Sequence, residues 1–191
     1  MLPQKKGNIK NQTLEIIIET KIEIETSQMK TNKINFIILV FVAFCIFSCD
    51  AKRDYDTFIS IDNNTWKKDN MVSFQFEIND TINQKDLFIN IRNNQKYSYS
   101  NLFLITTLNF PNGKKVVDTL EYEMTDNSGR FLGKGFTEIK ENKLFYKENV
   151  VFPMSGKYEV SVTQAMRKNG EINGIESLEG ITDVGFRIEK N

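Results

Sequence analysis

Val72-Ser73-Phe74-Gln75-Phe76-Glu77-Ile78 puts four apolar residues on one face of an extended chain and Ser73, Gln75 and Glu77 on the other. Side chains alternate across a strand with a period of two, so the run reads as a strand with one face in a core. The same period returns on both sides of it. Leu87, Ile89 and Ile91 alternate with Phe88, Asn90 and Arg92, and Leu120, Tyr122 and Met124 with Thr119, Glu121 and Glu123. Tyr158, Val160 and Val162 alternate with Glu159, Ser161 and Thr163. Residues 102–110 are apolar on both faces, the pattern of a central strand. Residues 131–139, 144–146, 150–152 and 184–188 read as further strands, the first bulged at Gly133 and Gly135.

Turn residues separate the runs. Pro111-Asn112-Gly113 is the clearest hairpin signal, because Asn-Gly suits the positive φ of a type I′ turn. Ser128-Gly129, Asn142 and Ser155-Gly156 mark other breaks. Residues 164–167 and 174–178 offer at most a turn or two of helix, so crossover helices are missing and a parallel βαβ architecture is not expected. Short strands at roughly ten-residue spacing predict an all-β, antiparallel β-sandwich, immunoglobulin-like or jelly-roll-like, over residues 58–191.

The N-terminal part carries an address. Residues 36–47 are twelve apolar residues in a row, short of the roughly 20 needed to span a bilayer but right for the core of a signal peptide. Lys30 and Lys33 precede it, and Ile46-Phe47-Ser48-Cys49 follows. An aliphatic residue, then a small one just before Cys, is the pattern of a bacterial lipoprotein signal. The Cys49 thiol takes a diacylglycerol and the peptidase cuts before it. Two or more acyl chains, palmitate among them, supply stable membrane attachment. Residues 29–48 are thus a helical lipoprotein signal peptide, and Cys45 leaves with it. Met29 is the expected initiator, with residues 1–28, which hold four Lys and four Glu, an N-terminal extension assigned in error. Residues 49–57 are expected to be a lipidated tether.

Composition excludes much chemistry. The chain has 191 residues, with 25 Lys+Arg against 25 Asp+Glu, and lacks the basic excess of a nucleic-acid binder. There is no histidine, which removes Ser-His-Asp and Cys-His nucleophile systems and most catalytic zinc sites. Two cysteines, Cys45 and Cys49, cannot frame a disulfide-stapled fold. Asp62, Asp69, Asp80 and Asp86 lie near loops without an EF-hand pattern. Glu121 and Glu123 share a strand face, which is more often a solvated face than a catalytic pair. Residues 129–135 are glycine-rich, but their spacing fits no phosphate loop. The expectation is therefore no catalytic residue, no metal, no cofactor and no small-molecule substrate. Trp66, Arg92, Tyr97 and Tyr99 are the candidate contact residues. The three rings could form a sugar-stacking platform or simply pack.

Particular stretches resemble a known family. Asn63-Asn64-Thr65-Trp66, Ile91-Arg92-Asn93-Asn94, Tyr97-Ser98-Tyr99-Ser100-Asn101, Asp118-Thr119-Leu120-Glu121-Tyr122-Glu123, Tyr146-Lys147-Glu148-Asn149-Val150-Val151-Phe152-Pro153 and Gly174-Ile175-Glu176-Ser177-Leu178-Glu179-Gly180 follow the lipoprotein signal. Together they resemble the gliding-motility lipoprotein family GldH of the Bacteroidetes, across all of 49–191. The resemblance implies a membrane-anchored, non-enzymatic accessory of the gliding apparatus, linked to type 9 secretion. Its partners would be the membrane and other gliding or secretion envelope proteins. Only the lipidated Cys49 transfers as a family residue. The alternatives are a carbohydrate-binding envelope lipoprotein and, more remotely, a hydrolase using paired acids. The resemblance leaves the anchor open to the inner or the outer membrane, with a periplasm-facing domain preferred.

Overall fold

The computed structural model describes Lys21, residues 52–168 and residues 170–191. The signal peptide, Met29, Cys45 and Cys49 lie outside the described residues. Residues 52–191 form one compact unit of β-structure. The strands are β1 (Arg53–Ser60), β2 (Thr65–Lys67), β3 (Val72–Ile78), β4 (Lys85–Asn93), β5 (Asn101–Asn109), β6 (Lys115–Glu123), β7 (Lys140–Val150), β8 (Gly156–Gln164), β9 (Ser177–Glu179) and β10 (Ile181–Lys190). One short 3-10 turn, Asp62–Asn64, joins β1 to β2.

The longer strands form two four-stranded antiparallel sheets, in the orders β1-β10-β4-β7 and β3-β8-β5-β6. Each link between successive long strands crosses from one sheet to the other, except the β5–β6 hairpin. That order is a jelly roll, which decides between the two sandwich types expected. The β2–β9 ribbon stands apart from both sheets. The sheets meet through rings. Phe76 on β3 lies 5.4 Å from Phe186 on β10, 5.6 Å from Tyr55 on β1 and 5.8 Å from Tyr158 on β8, centroid to centroid. Such pairs add about 0.5–1.5 kcal/mol each beyond the area they bury.

The alternation in β3 is realised residue for residue, with Val72, Phe74, Phe76 and Ile78 buried. Three expectations needed correction. Residues 53–57 are not tether; they open β1, whose Tyr55 reaches the core while Asp54 and Asp56 disguise the period. Residues 131–139 make only isolated bridges, Thr125 to Phe131 and Lys134 to Glu141, and no strand. Residues 144–146 and 150–152 are not two strands. β7 runs through the polar interruption by placing Asn149 at φ +53, with its N–H donated to Asp86 Oδ1 at 2.8 Å. The hairpin after β5 forms as expected, but its turn differs. Phe110 N–H donates to Lys114 O at 2.8 Å around a three-residue loop, and positive φ falls on Gly113 alone. Pro111 fixes φ for the first turn position, which favours a type I turn closed by a left-handed glycine over a type I′ turn.

The strand directions define two ends. The tether end holds the start of β1, the end of β10, the β3–β4 loop, the β5–β6 hairpin and the β7–β8 loop. The far end holds the β2–β9 ribbon and the long segments between β4 and β5, β6 and β7, and β8 and β9. At the tether end Lys85 is buried, with Nζ 2.6 Å from Asp54 Oδ2 and 3.6 Å from Asp80 Oδ2. The hydrogen bond from Lys85 holds the Asp54 carboxyl below its ordinary value of 3.8, against the opposing effect of burial. A depressed folded pKa adds stability that is complete above the unfolded value and lost as pH falls through the folded one. Asp54→Asn is therefore expected to destabilise the domain at neutral pH and to flatten the acid limb of its stability curve. The neutral-pH loss should fall short of the ~3–5 kcal/mol typical of a broken buried pair, because Asp80 still faces Lys85. Urea melts from neutral pH to about pH 3 check both parts.

Candidate functional site

Trp66, Tyr97 and Tyr99 belong to the far end, and Arg92 approaches it along β4. Trp66 sits on β2 opposite Leu178 of β9 and is fully buried. Its indole Nε1–H donates to Asn70 O at 2.8 Å, so even its polar atom is spent. Tyr97 is also buried, with its hydroxyl donated to Asn101 O at 2.6 Å. Burial, and then the neighbouring Tyr99, push the Tyr97 phenol well above its ordinary range. Tyr99 is partly buried and packs edge-on against Tyr97, ring centroids 5.9 Å apart. Two of the three rings therefore cannot meet a sugar, and the stacking platform is not formed. Indole and phenol rings of this size near a loop were the right shape for the core too, and the core took them.

Arg92 is half-buried on the outer face of its sheet. Its guanidinium lies 3.8 Å from the centre of the Phe58 ring, and Nε donates to Glu141 Oε2 at 2.8 Å. It clamps β1, β4 and β7 across the sheet. The structure thus brings Tyr97 and Tyr99 together and gives all four residues bracing roles.

The brace converges on Gly180, between β9 and β10. Gly180 N–H donates to Asn64 O at 2.8 Å, and Gly180 O accepts from Asn94 N–H at 2.8 Å. Its φ is +87°, and a Cβ there would lie 2.1 Å from Tyr97 N. Only glycine lets these three segments meet so closely.

The acids Glu121 and Glu123 line a depression of about 740 Å³ together with Ser100, Asn101 and Asp126. Glu121 Oε1 accepts a hydrogen bond from Asn101 Nδ2 at 2.8 Å. Asp126 is occupied as a turn staple: Oδ1 accepts from Ser128 N–H, Ser128 Oγ and Arg130 N–H, and Oδ2 pairs with the Arg130 guanidinium. The Ser128 hydroxyl first, then the Arg130 N–H, hold its carboxyl well below the usual range. It is a committed anion, and as such cannot donate a proton at neutral pH. Among the described residues no group of three acids or thiols is placed to hold a metal ion.

Among the exposed residues of the far end are several large apolar side chains. Leu132 and Ile139 are exposed and Phe136 fully so, all in the segment between β6 and β7. Ile172, between β8 and β9, is 90% exposed. Residues of this type on long loops held by a rigid frame are candidates for protein contact. The sequence reading missed them because it assigned residues 131–139 to a strand, where Phe136 would have been packed.

Comparison with known proteins adds a family. The model of the GldH lipoprotein family matches residues 53–188. The chain is 58% identical over 154 residues to the gliding motility lipoprotein GldH homolog of Christiangramia forsetii, covering 81% of this chain and 94% of that protein. It is 49% identical over 153 residues to the gliding motility lipoprotein GldH of Flavobacterium johnsoniae, covering 80% and 94%. Among solved structures, the VP2 subviral particle of infectious bursal disease virus aligns with a TM-score of 0.32 and 14% identity, over 74% of this chain and 34% of that one. Dimeric latent PorU from Porphyromonas gingivalis aligns with a TM-score of 0.33 and 9% identity, over 74% and 14%. With the family model spanning the whole sandwich and two relatives this close, the chain belongs to the GldH lipoprotein family, whose named relatives are gliding-motility lipoproteins.

Proposed function

We propose that this lipoprotein is held in the envelope by a lipid on Cys49 and acts as a non-enzymatic assembly component of the gliding machinery and its linked type 9 secretion system. The domain faces the periplasm, and its far end offers Phe136, Leu132 and Ile172 to another envelope protein. The observation that carries the reading is the separation of roles along one rigid body. The chain leaves the sandwich toward Cys49 at one end, and the exposed apolar loops stand at the other. Asp126 is committed to a turn, and two of the three candidate sugar-stacking rings, Trp66 and Tyr97, are built into the core.

Deleting the gene is expected to stop single-cell gliding and colony spreading, and a plasmid copy should restore both. A Cys49→Ala copy should fail to restore them while accumulating as folded protein away from the membrane fraction. Normal gliding in the deletion strain would overturn the motility role. Full rescue by Cys49→Ala would overturn the anchor.

A further inference from the structure

The tether is shorter than the sequence pattern implied. β1 begins at Arg53, and Lys52 O already accepts the N–H of Lys190 at 2.8 Å. Only Asp50 and Ala51 separate Lys52 from Cys49. Three Cα-to-Cα steps reach at most about 11 Å. A domain held that closely to acyl chains must keep its tether end against the bilayer surface, and that end is equipped for contact.

Ile82, in the β3–β4 loop, is 83% exposed, and Val151, just past β7, is 48% exposed. The two line one open depression of about 750 Å³, together with Asn83, Gln84 and Lys190. Ile82 is not a floppy tip. Asp80 Oδ1 accepts the N–H of Ile82 at 3.0 Å and that of Asn83 at 3.1 Å, and Asn83 Nδ2 donates to Asp80 Oδ2 at 2.9 Å. The turn holds the isoleucine outward. Asp80 is in turn neutralised by buried Lys85, which also faces Asp54. Lys114 is exposed on the same end, and Lys157 stands there opposite Glu77, so the rim carries both signs of charge. An apolar pair ringed by the polar groups of Asp80, Asn83, Gln84, Lys190 and Asn191, at the end of the sandwich from which the chain runs back to Cys49, matches the boundary between headgroups and acyl chains.

We propose that the tether end of the sandwich rests on the bilayer, with Ile82 and Val151 entering the boundary between headgroups and acyl chains. The inference rests on the Cys49 anchor and adds an orientation to it. The long strands then stand away from the membrane, and the far end is carried outward by the full length of the sandwich.

The test uses the full, lipidated chain in vesicles of phosphatidylethanolamine and phosphatidylglycerol. Ile82→Cys and Val151→Cys are labelled with a nitroxide, with Ile172→Cys at the far end as control. Cys45 departs with the signal peptide and Cys49 is blocked by lipid, so each label is unique. The ratio of oxygen to nickel-chelate access is expected to be several-fold higher at 82 and 151 than at 172. Equal ratios at all three positions, on protein that floats with the vesicles, overturn the orientation and leave the anchor standing. Low access to both reagents at 82 means that protein, such as a second copy of this chain, covers the loop, and overturns it as well. Protein that fails to float and whose N-terminal peptide lacks the diacylglycerol mass brings down both anchor and orientation.

Discussion

Trp66→Ala is expected to lower the stability of the domain by about 3–5 kcal/mol, the usual cost of truncating a large buried ring. Its ring is fully buried and belongs to the central hydrophobic cluster, so deletion opens a cavity that a β-sandwich closes poorly. The same change leaves Asn70 O without its 2.8 Å partner and loosens the β2–β9 ribbon, only three residues long on each strand. Total stabilities of single domains are about 5–15 kcal/mol, so the loss is a large share. Guanidinium melts should show a lower midpoint with an unchanged slope. A Trp66→Ala protein with wild-type stability would return the ring to the surface and reopen the sugar-binding alternative. Trp66→Phe, which keeps most of the volume but not the N–H, should cost well under half as much.

Gly180→Ala should be nearly as severe for a different reason. A left-handed φ costs a non-glycine residue about 1–2 kcal/mol by itself. The added Cβ would also meet Tyr97 N at 2.1 Å and Tyr97 Cα at 2.6 Å, and backbone cannot rotate aside as a side chain can. The segments must separate, breaking the hydrogen bonds from Gly180 N–H to Asn64 O and from Asn94 N–H to Gly180 O. A total loss of at least about 3 kcal/mol follows from adding lost hydrogen bonds to the backbone strain. Its signature is local: hydrogen exchange at Asn94 and Tyr97 should accelerate more than exchange in β3 or β8. Uniform acceleration across the domain would show that the brace has no separate standing.

Much of this was legible along the chain. The period-two runs in β3 and β8 named their buried apolar residues, because an antiparallel sheet with one wet face sorts residues by parity; in β4 the alternate residues Phe88 and Asn90 are buried as well, and in β6 Leu120 and Tyr122 are only partly covered. β1 escaped because Asp54 and Asp56 flank Tyr55, and a charged edge strand reads as a linker. Residues 131–139 misled in the opposite sense. Apolar residues at strand-like spacing are no strand without a neighbour to pair with, and Phe136 is left fully exposed. Trp66 and Tyr97 lie in the core for one shared reason. An aromatic ring near a loop has the same sequence appearance whether it faces water or packs beneath the loop, and the difference is made by Asn64, Asn94 and Gly180, which come from three distant segments.

The sequence by itself determined that the chain is all-β and antiparallel, which face of several strands is buried, and that no histidine-dependent chemistry is available. These follow from parity, turn residues and composition, all of which are local or additive. Only the tertiary structure decided the jelly-roll order, the burial of Trp66 and Tyr97, and the shortness of the link between β1 and Cys49. Parity records which face a residue shows but not which strand lies beside it. Strand partners are chosen by how the Phe76, Phe186 and Tyr158 rings fill the space between two sheets, and that packing exists only once residues far apart in the chain have met.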